Sequence, residues 1–284
     1  MLFRSAVANG VKTNANQIHV SYTYSPMRYV WDLREQYLKE SNLDKGIKGC
    51  AARFVLSCLK KWDYRVAQRV DHFIGISDFI KDRIYRSYGK DSVVIYPPVD
   101  TDFYDVADVE GGVKGDFYLV ASRMVPYKMM PLIVSAFSSM PDKKLVVIGD
   151  GPELGRVKAC AGENVEILGY QNDLVLRECL QKAKALVFAA EEDFGILPVE
   201  AQACGTPVIG YGKGGLLETV NSVESDKPTG VFFDEQSKQS IKNAVEFFEV
   251  NVDKFTPDNC RKNALKFSEE VFRLKFKQYI DSVL

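Results

Sequence analysis

No apolar run in this sequence approaches the roughly 18 residues that a membrane-crossing helix needs, so no spanning segment is read. The opening stretch MLFRSAVANG carries an arginine at position 4 and no apolar core of leader length, which argues against a secretory signal. Six cysteines (Cys50, Cys58, Cys160, Cys179, Cys204, Cys260) include no C-x-x-C pair and read as small buried apolar residues in a reducing cytosol. A net charge of −1 lacks the basic balance that general nucleic-acid binding requires. Internal repeats and low-complexity tracts are absent as well. What remains is 284 residues with 46% hydrophobic and 26% charged side chains, material for roughly two soluble, cytoplasmic domains.

From about Asp116 the pattern is regular. Apolar runs of strand length lie at 117–122, 145–148, 165–168, 185–190, 207–211 and 230–233, with helix-spaced segments between them. Strands alternating with helices imply βαβ units and a parallel sheet covered on both faces, hence an α/β fold. The first 110 residues show only three such runs, at 18–22, 72–77 and 93–96, and read as part of a second α/β domain. Residues 96–116, rich in Pro, Gly and Asp, read as a connector. The last helix offers Val271, Leu274, Ile280 and Val283 for packing.

Ligands of open parallel sheets bind beyond the carboxyl ends of the strands, and each strand exit of the larger domain repays inspection. The first is followed by Arg123 and Lys128 near a helix start, two cations suited to a diphosphate; they would equally serve as solvated surface charges. The second ends Gly149-Asp150-Gly151-Pro152, but Leu154 stands where a dinucleotide fingerprint needs glycine, so a nicotinamide enzyme loses its support and a Gly-Pro turn is read. The fourth runs into EEDFGILPVEA. Pro198 suits the first helical position, and Glu200 then falls in the first turn, where the helix dipole favours a carboxylate. Glu192 and Gly195 have no such explanation. The free amides of Phe194, Gly195, Ile196 and Leu197 could face ligand oxygens, with one acid on each side of the helix mouth. A polyhydroxylated ligand with a central diphosphate, as in nucleotide sugars, satisfies these positions together. Gly212, Gly214 and Gly215 form a second, weaker candidate turn for an anion. Glu191-Glu192-Asp193 imitates an acidic metal motif only loosely.

The ordered set S-R-x-x-x-x-K (122–128), G-D-G-P (149–152), E-D-F-G-I-x-P-V-E-A (192–201), G-T-P-V-I (205–209) and G-G-x-x-E (214–218) resembles the retaining glycosyltransferases of family four. The mannosyltransferase-like members of bacterial surface-polysaccharide synthesis are the most similar. The resemblance implies a GT-B fold: two Rossmann-like domains facing a cleft, here 1–110 on the acceptor side, shortened, and 111–268 on the donor side. The helix 269–284 is expected to pack back toward the first. It further implies that Arg123 and Lys128 hold the donor diphosphate and stabilise the leaving nucleotide. Glu192 would contact the transferred sugar and Glu200 the ribose. Gly149 and Gly169 would line the donor site, the base lying near 169–173. No metal and no cofactor are implied; GDP-mannose or a UDP-sugar is the substrate, and a glycan or lipid-linked molecule the acceptor.

Residues 19–32 resemble the family's acceptor-side segment, with Arg28 matching. Tyr24 stands where a histidine is usual, and a phenol is a poor proton acceptor at neutral pH. The opening strand–helix units and their glycine-rich loop are missing from the first domain. A non-catalytic nucleotide-sugar binding module is therefore the alternative to an active hexosyltransferase. Residues 28–90 hold fourteen Lys/Arg against eight Asp/Glu. That excess admits peripheral contact with the inner membrane face, although interspersed acids favour an ordinary solvated surface.

Overall fold

The structure, a computed structural model, describes residues 9–32, 34–41, 43–106 and 114–284. The chain start MLFRSAVA and the 107–113 part of the proposed connector lie outside the described residues. Two compact units result: 1–96 together with 275–284, and 97–274.

The first unit carries a parallel sheet of three strands in the order β1 (Val20–Thr23), β2 (His72–Gly75), β3 (Ser92–Val94). Val20 pairs with His72, and Phe73 with Ser92. The helix Asp78–Tyr88 begins where the Ser77 hydroxyl accepts from the Ile80 amide at 3.1 Å, and it ends at Gly89 with φ 64°. Both are ordinary stop and start devices written in the sequence. At the chain's end the helix Glu269–Val283 contains no fully buried residue. Leu274, expected to pack, is exposed. Phe276 and Tyr279 make the contacts instead, edge-on to Tyr22 and to His72. Large rings carry more area per residue than the aliphatic stripe.

The second unit carries six parallel strands: β4 (Tyr118–Ala121), β5 (Leu145–Ile148), β6 (Val165–Gly169), β7 (Leu186–Phe188), β8 (Val208–Tyr211) and β9 (Gly230–Phe233). Their spatial order is β6-β5-β4-β7-β8-β9. Val120, Val147, Val187 and Ile209 are buried in one core with Ile133, Phe137, Ile241 and Phe248 from the covering helices. Burying each such side chain stabilises the fold by about 1.5–3 kcal/mol before chain entropy is subtracted. The near-continuous apolarity of these strands follows from being covered on both faces. Because β4 has β5 on one side and β7 on the other, the winding reverses between β4 and β7, and the loops leaving these two strands diverge there.

The stretch 97–106 differs from the connector read in the sequence. It folds with the second unit: Arg261 Nη1 donates to the carbonyls of Thr101 and Tyr104 at 2.7 and 2.8 Å and to that of Ala203 at 3.3 Å.

Candidate functional site

The residues singled out in the larger domain gather on the carboxyl rim of its sheet. Arg123 leaves β4 as an exposed side chain, and among the described residues no carboxylate pairs with it. The chain then makes a tight turn, Pro126–Lys128, closed by Met129 in the left-handed region at φ 56°. This turn aims Lys128 across the switch point. Its Nζ forms an ion pair with Glu192 Oε1, carried by the loop after β7. The ammonium also lies 5.6 Å from the centre of the Phe188 ring. A cation and a carboxylate from the two diverging loops are thus held together.

The glycines of the β5 exit explain how the first loop is held. Gly149 has φ 135°, and a Cβ there would stand 1.9 Å from the Ser122 carbonyl oxygen; at Gly151 it would stand 2.6 Å from that of Met124. The bare backbones zip together through Met124 N to Asp150 O at 2.8 Å and Glu153 N to Met124 O at 3.0 Å. Gly169 ends β6, and its carbonyl accepts from the Gly149 amide at 2.8 Å. Gly149 is therefore a close-approach residue that fixes the Arg123 loop.

A second pair of glycines does the same for Glu192. The Gly215 amide donates to the Glu192 carbonyl at 2.8 Å, and a Cβ at Gly214 would meet that oxygen at 2.4 Å. The turn at 212–215, read as a candidate anion site, serves here as the backing of the Glu192–Phe194 loop.

The helix after β7 spans Ile196–Ala203, with Gly195 at φ 89° as its cap. This corrects two expectations. Pro198 occupies the third helical position, where its missing N–H is still harmless because first-turn amides have no partner within the helix. Glu200 consequently lies beyond the first turn, which holds no acid. Dipole stabilisation would lower its pKa; instead burial, with Asp173 and Asp100 nearby, pushes the carboxyl up to about 7. Among the described residues no group hydrogen-bonds that carboxyl. Ile196 is exposed, Leu197 is half-buried, and the Phe194 ring is buried edge-on against Phe267.

Asp100, Tyr104 and Asp173, which surround Glu200, were not singled out in the sequence. Burial and the Glu200 charge raise the Tyr104 pKa. Gln202 and Asn263 were missed too. Gln202 Nε2 donates to the carbonyls of Pro198 and Thr219, each at 2.9 Å, and Asn263 Nδ2 donates to Gln202 Oε1 at 2.8 Å. This buried network fixes the helix that bears Glu200.

In the first unit, Tyr24 follows β1 and is exposed, its ring edge-on to Tyr22. Arg28 opens the helix Arg28–Trp31. His19 is buried at the amino end of β1, away from the strand's carboxyl end. Among the described residues no three His, Cys, Asp or Glu side chains gather as metal ligands, and no helix is long and apolar enough to cross a membrane.

The family model described as glycosyl transferases group 1 matches residues 109–267. An uncharacterised glycosyltransferase of Methanocaldococcus jannaschii is 28% identical over 156 residues, covering 53% of this chain and 42% of that one. A GDP-mannose-dependent alpha-(1-6)-phosphatidylinositol monomannoside mannosyltransferase of Mycolicibacterium smegmatis is 28% identical over 212 residues, covering 64% and 53%. The matched part spans about half or less of these relatives' own length. Among solved structures, Anabaena HepE in complex with UDP and glucose superposes with a TM-score of 0.68 at 17% identity, over 92% of this chain and 85% of that one. Sucrose-phosphate synthase of Thermosynechococcus elongatus gives 0.71 at 18%, over 93% and 67%. At such identities the likeness shows the fold, which is α/β of the GT-B type.

Proposed function

The chain belongs to the glycosyl transferases group 1 family, and on that premise we propose that it moves a hexose, with retention, from a nucleotide sugar to a glycan or lipid-linked acceptor. The preferred donor is GDP-mannose, with a UDP-sugar as the alternative. The setting is assembly of a surface polysaccharide at the cytoplasmic face of a membrane. The observation that carries this reading is the Glu200 carboxyl, half-buried and without a hydrogen-bond partner among the described residues, on the helix that follows the loop in which Glu192 pairs with Lys128. A buried acid without partners is costly, and ribose hydroxyls would satisfy it.

In this reading Arg123 and Lys128 receive the diphosphate and neutralise charge as the nucleotide departs. They supply the positive charge locally, so the transfer is proposed to be independent of metal and cofactor. Glu192, released from Lys128 as phosphate oxygens take its place, accepts from hydroxyls of the transferred sugar. The amides at 194–197 and the backbone at Gly149 line the donor, and the base lies by Gly169. Tyr24 and Arg28 face the acceptor. Tyr24, standing where the family resemblance implies a histidine, favours one second reading, a nucleotide-sugar binding module without turnover.

A thermal-shift panel of GDP- and UDP-sugars, followed by nucleotide release with acceptor lipid, tests both. Stabilisation by one nucleotide class, lost in Glu200→Ala, is the expected result. Binding without release under every acceptor tried would select the module, and no stabilisation by any nucleotide sugar would remove the donor site.

A further inference from the structure

The amino ends of the strands form the other rim of the six-stranded sheet, away from Arg123 and Glu192. Lys114 precedes β4 there, Lys184 precedes β7, and Pro207 precedes β8. With Phe248, Val252 and Phe255 they line a hollow of about 350 Å³. The Phe248 and Phe255 rings are buried and stacked, their centres 5.2 Å apart. Val252 is half exposed. The wall is thus mostly apolar with a few polar groups, the make-up of a small-molecule site.

The charged groups in this wall are of two kinds. Glu249 is answered: it accepts from the Tyr118 hydroxyl at 2.7 Å, from Lys143 at 2.5 Å and from Lys184 at 3.4 Å. Lys184 also pairs with Asp116 at 2.7 Å. Lys114 is not answered. Its Nζ donates to the Gln181 carbonyl at 2.8 Å and to Thr206 Oγ1 at 2.5 Å, both neutral acceptors. Thr206 gives its own proton to the Leu180 carbonyl, so its oxygen accepts from the lysine. An ammonium has three donors. Among the described residues the third has no partner, and no carboxylate pairs with Lys114. The Cys204 and Cys260 thiols nearby are pushed up to about 12 by burial and stay neutral. Burial also lowers the Lys114 pKa to about 8, which leaves it charged at neutral pH.

We propose that this hollow binds a small monocarboxylate with an apolar body, aromatic or branched aliphatic. The carboxylate takes the remaining Lys114 donor and supplies its missing counter-charge, while the body packs on Phe248, Phe255 and Pro207. Charge-assisted bonds are the strong ones, and an apolar wall strengthens them further. One unanswered cation neutralises one negative charge, and the Glu249 carboxylate in the same wall repels a second. A phosphate dianion therefore fits less well. A neutral apolar molecule would leave the ammonium unpaired in a drier place. The site needs no nucleotide sugar and no transfer, so it stands or falls apart from the transferase reading.

The test titrates the full chain, without donor or acceptor, with benzoate, with benzyl alcohol as its neutral counterpart, and with phenyl phosphate. Ligand-observed NMR reads the binding. Benzoate is expected to bind with a dissociation constant of about 1 mM, and the other two about tenfold more weakly. Lys114→Gln, whose amide can still donate to Gln181 and Thr206, should lose about tenfold for benzoate with its melting transition kept. A second readout needs no variant. At twice its dissociation constant, benzoate should slow acetylation of Lys114 by acetic anhydride about threefold, measured by peptide mass spectrometry on the wild-type chain. Benzoate binding no tighter than about 10 mM would overturn the proposal. So would benzyl alcohol or phenyl phosphate binding as tightly as benzoate, full affinity in a folded Lys114→Gln, or acetylation of Lys114 at an unchanged rate.

Discussion

Lys128 and Glu192 form an ion pair across the switch point between β4 and β7, each side chain still about a fifth exposed. Sixty-four residues separate them in the chain. Neither is spent on the core, and each is aimed by a loop that glycine contacts hold in place. The pair keeps two charges together on a rim where, in the reading proposed here, a diphosphate and a sugar compete for them.

Separate substitutions should therefore divide binding from transfer. In Lys128→Ala, affinity for the nucleoside diphosphate is expected to fall about tenfold to a hundredfold, as for a lost charge-assisted contact. In Glu192→Ala, nucleotide affinity should stay within about threefold while turnover falls by about a hundredfold or more. Calorimetry for binding and nucleotide release for turnover make the comparison; full turnover in Glu192→Ala would remove it from the sugar site.

The Glu200 carboxyl gives a pH signature. Its folded pKa of about 7 lies above the ordinary 4.5, so the native state holds the proton more tightly than the unfolded chain. Native stability then falls as pH rises from 4.5 to 7 and is constant beyond. The full penalty is up to about 3 kcal/mol. Glu200→Gln should melt several degrees above wild type near pH 8, with the gap closing toward about pH 5. A gap independent of pH would show that the carboxyl titrates normally.

The central strands of the second unit were legible because each is an apolar run bounded by turn residues, and a parallel sheet covered on both faces writes that pattern plainly. The rim residues followed from one topological rule. Other features were hidden for physical reasons. Asp100 and Tyr104 lie in a Pro- and Asp-rich stretch whose composition is that of a connector, and residues far along the chain fix it, among them Arg261, more than 150 residues later, Gln181 and the Phe267 carbonyl. The helix starts at Ile196 because Gly195 turns the chain at φ 89°, which a proline three residues on does not announce. Asp63 reads as a surface acid until Trp31 and Tyr88 are seen to enclose it.

Asn263 reaches the site only through Gln202. Asn263→Ala removes donors from Gln202 Oε1 and from the Thr219 carbonyl, both buried. The Thr219 carbonyl keeps the Gln202 Nε2 donor, so a loss of about 1–3 kcal/mol in denaturant unfolding is expected for Gln202 Oε1 left unpaired. The nucleotide should still bind, more weakly, since the helix carrying Glu200 loosens while its carboxylate survives. Stability unchanged in the variant would mean that water replaces the side chain fully.

Two glycines on neighbouring strand exits separate close approach from mere turning. Gly169 has φ 69°, and nothing lies within 4 Å of a Cβ placed there. Gly169→Ala therefore meets only the left-handed backbone cost of about 1–2 kcal/mol. Gly149 combines φ 135° with a backbone oxygen 1.9 Å from the same atom, and neither the strand β4 nor the Ser122 carbonyl can retreat without opening the loop that presents Arg123. Gly149→Ala should cost about 4 kcal/mol or more and abolish nucleotide binding in whatever protein remains folded. Urea unfolding of the two variants side by side decides the matter. Equal losses would mean that the β5 exit yields freely, and the zipped pair of loops could then no longer be what holds Arg123 and Lys128 at the switch point.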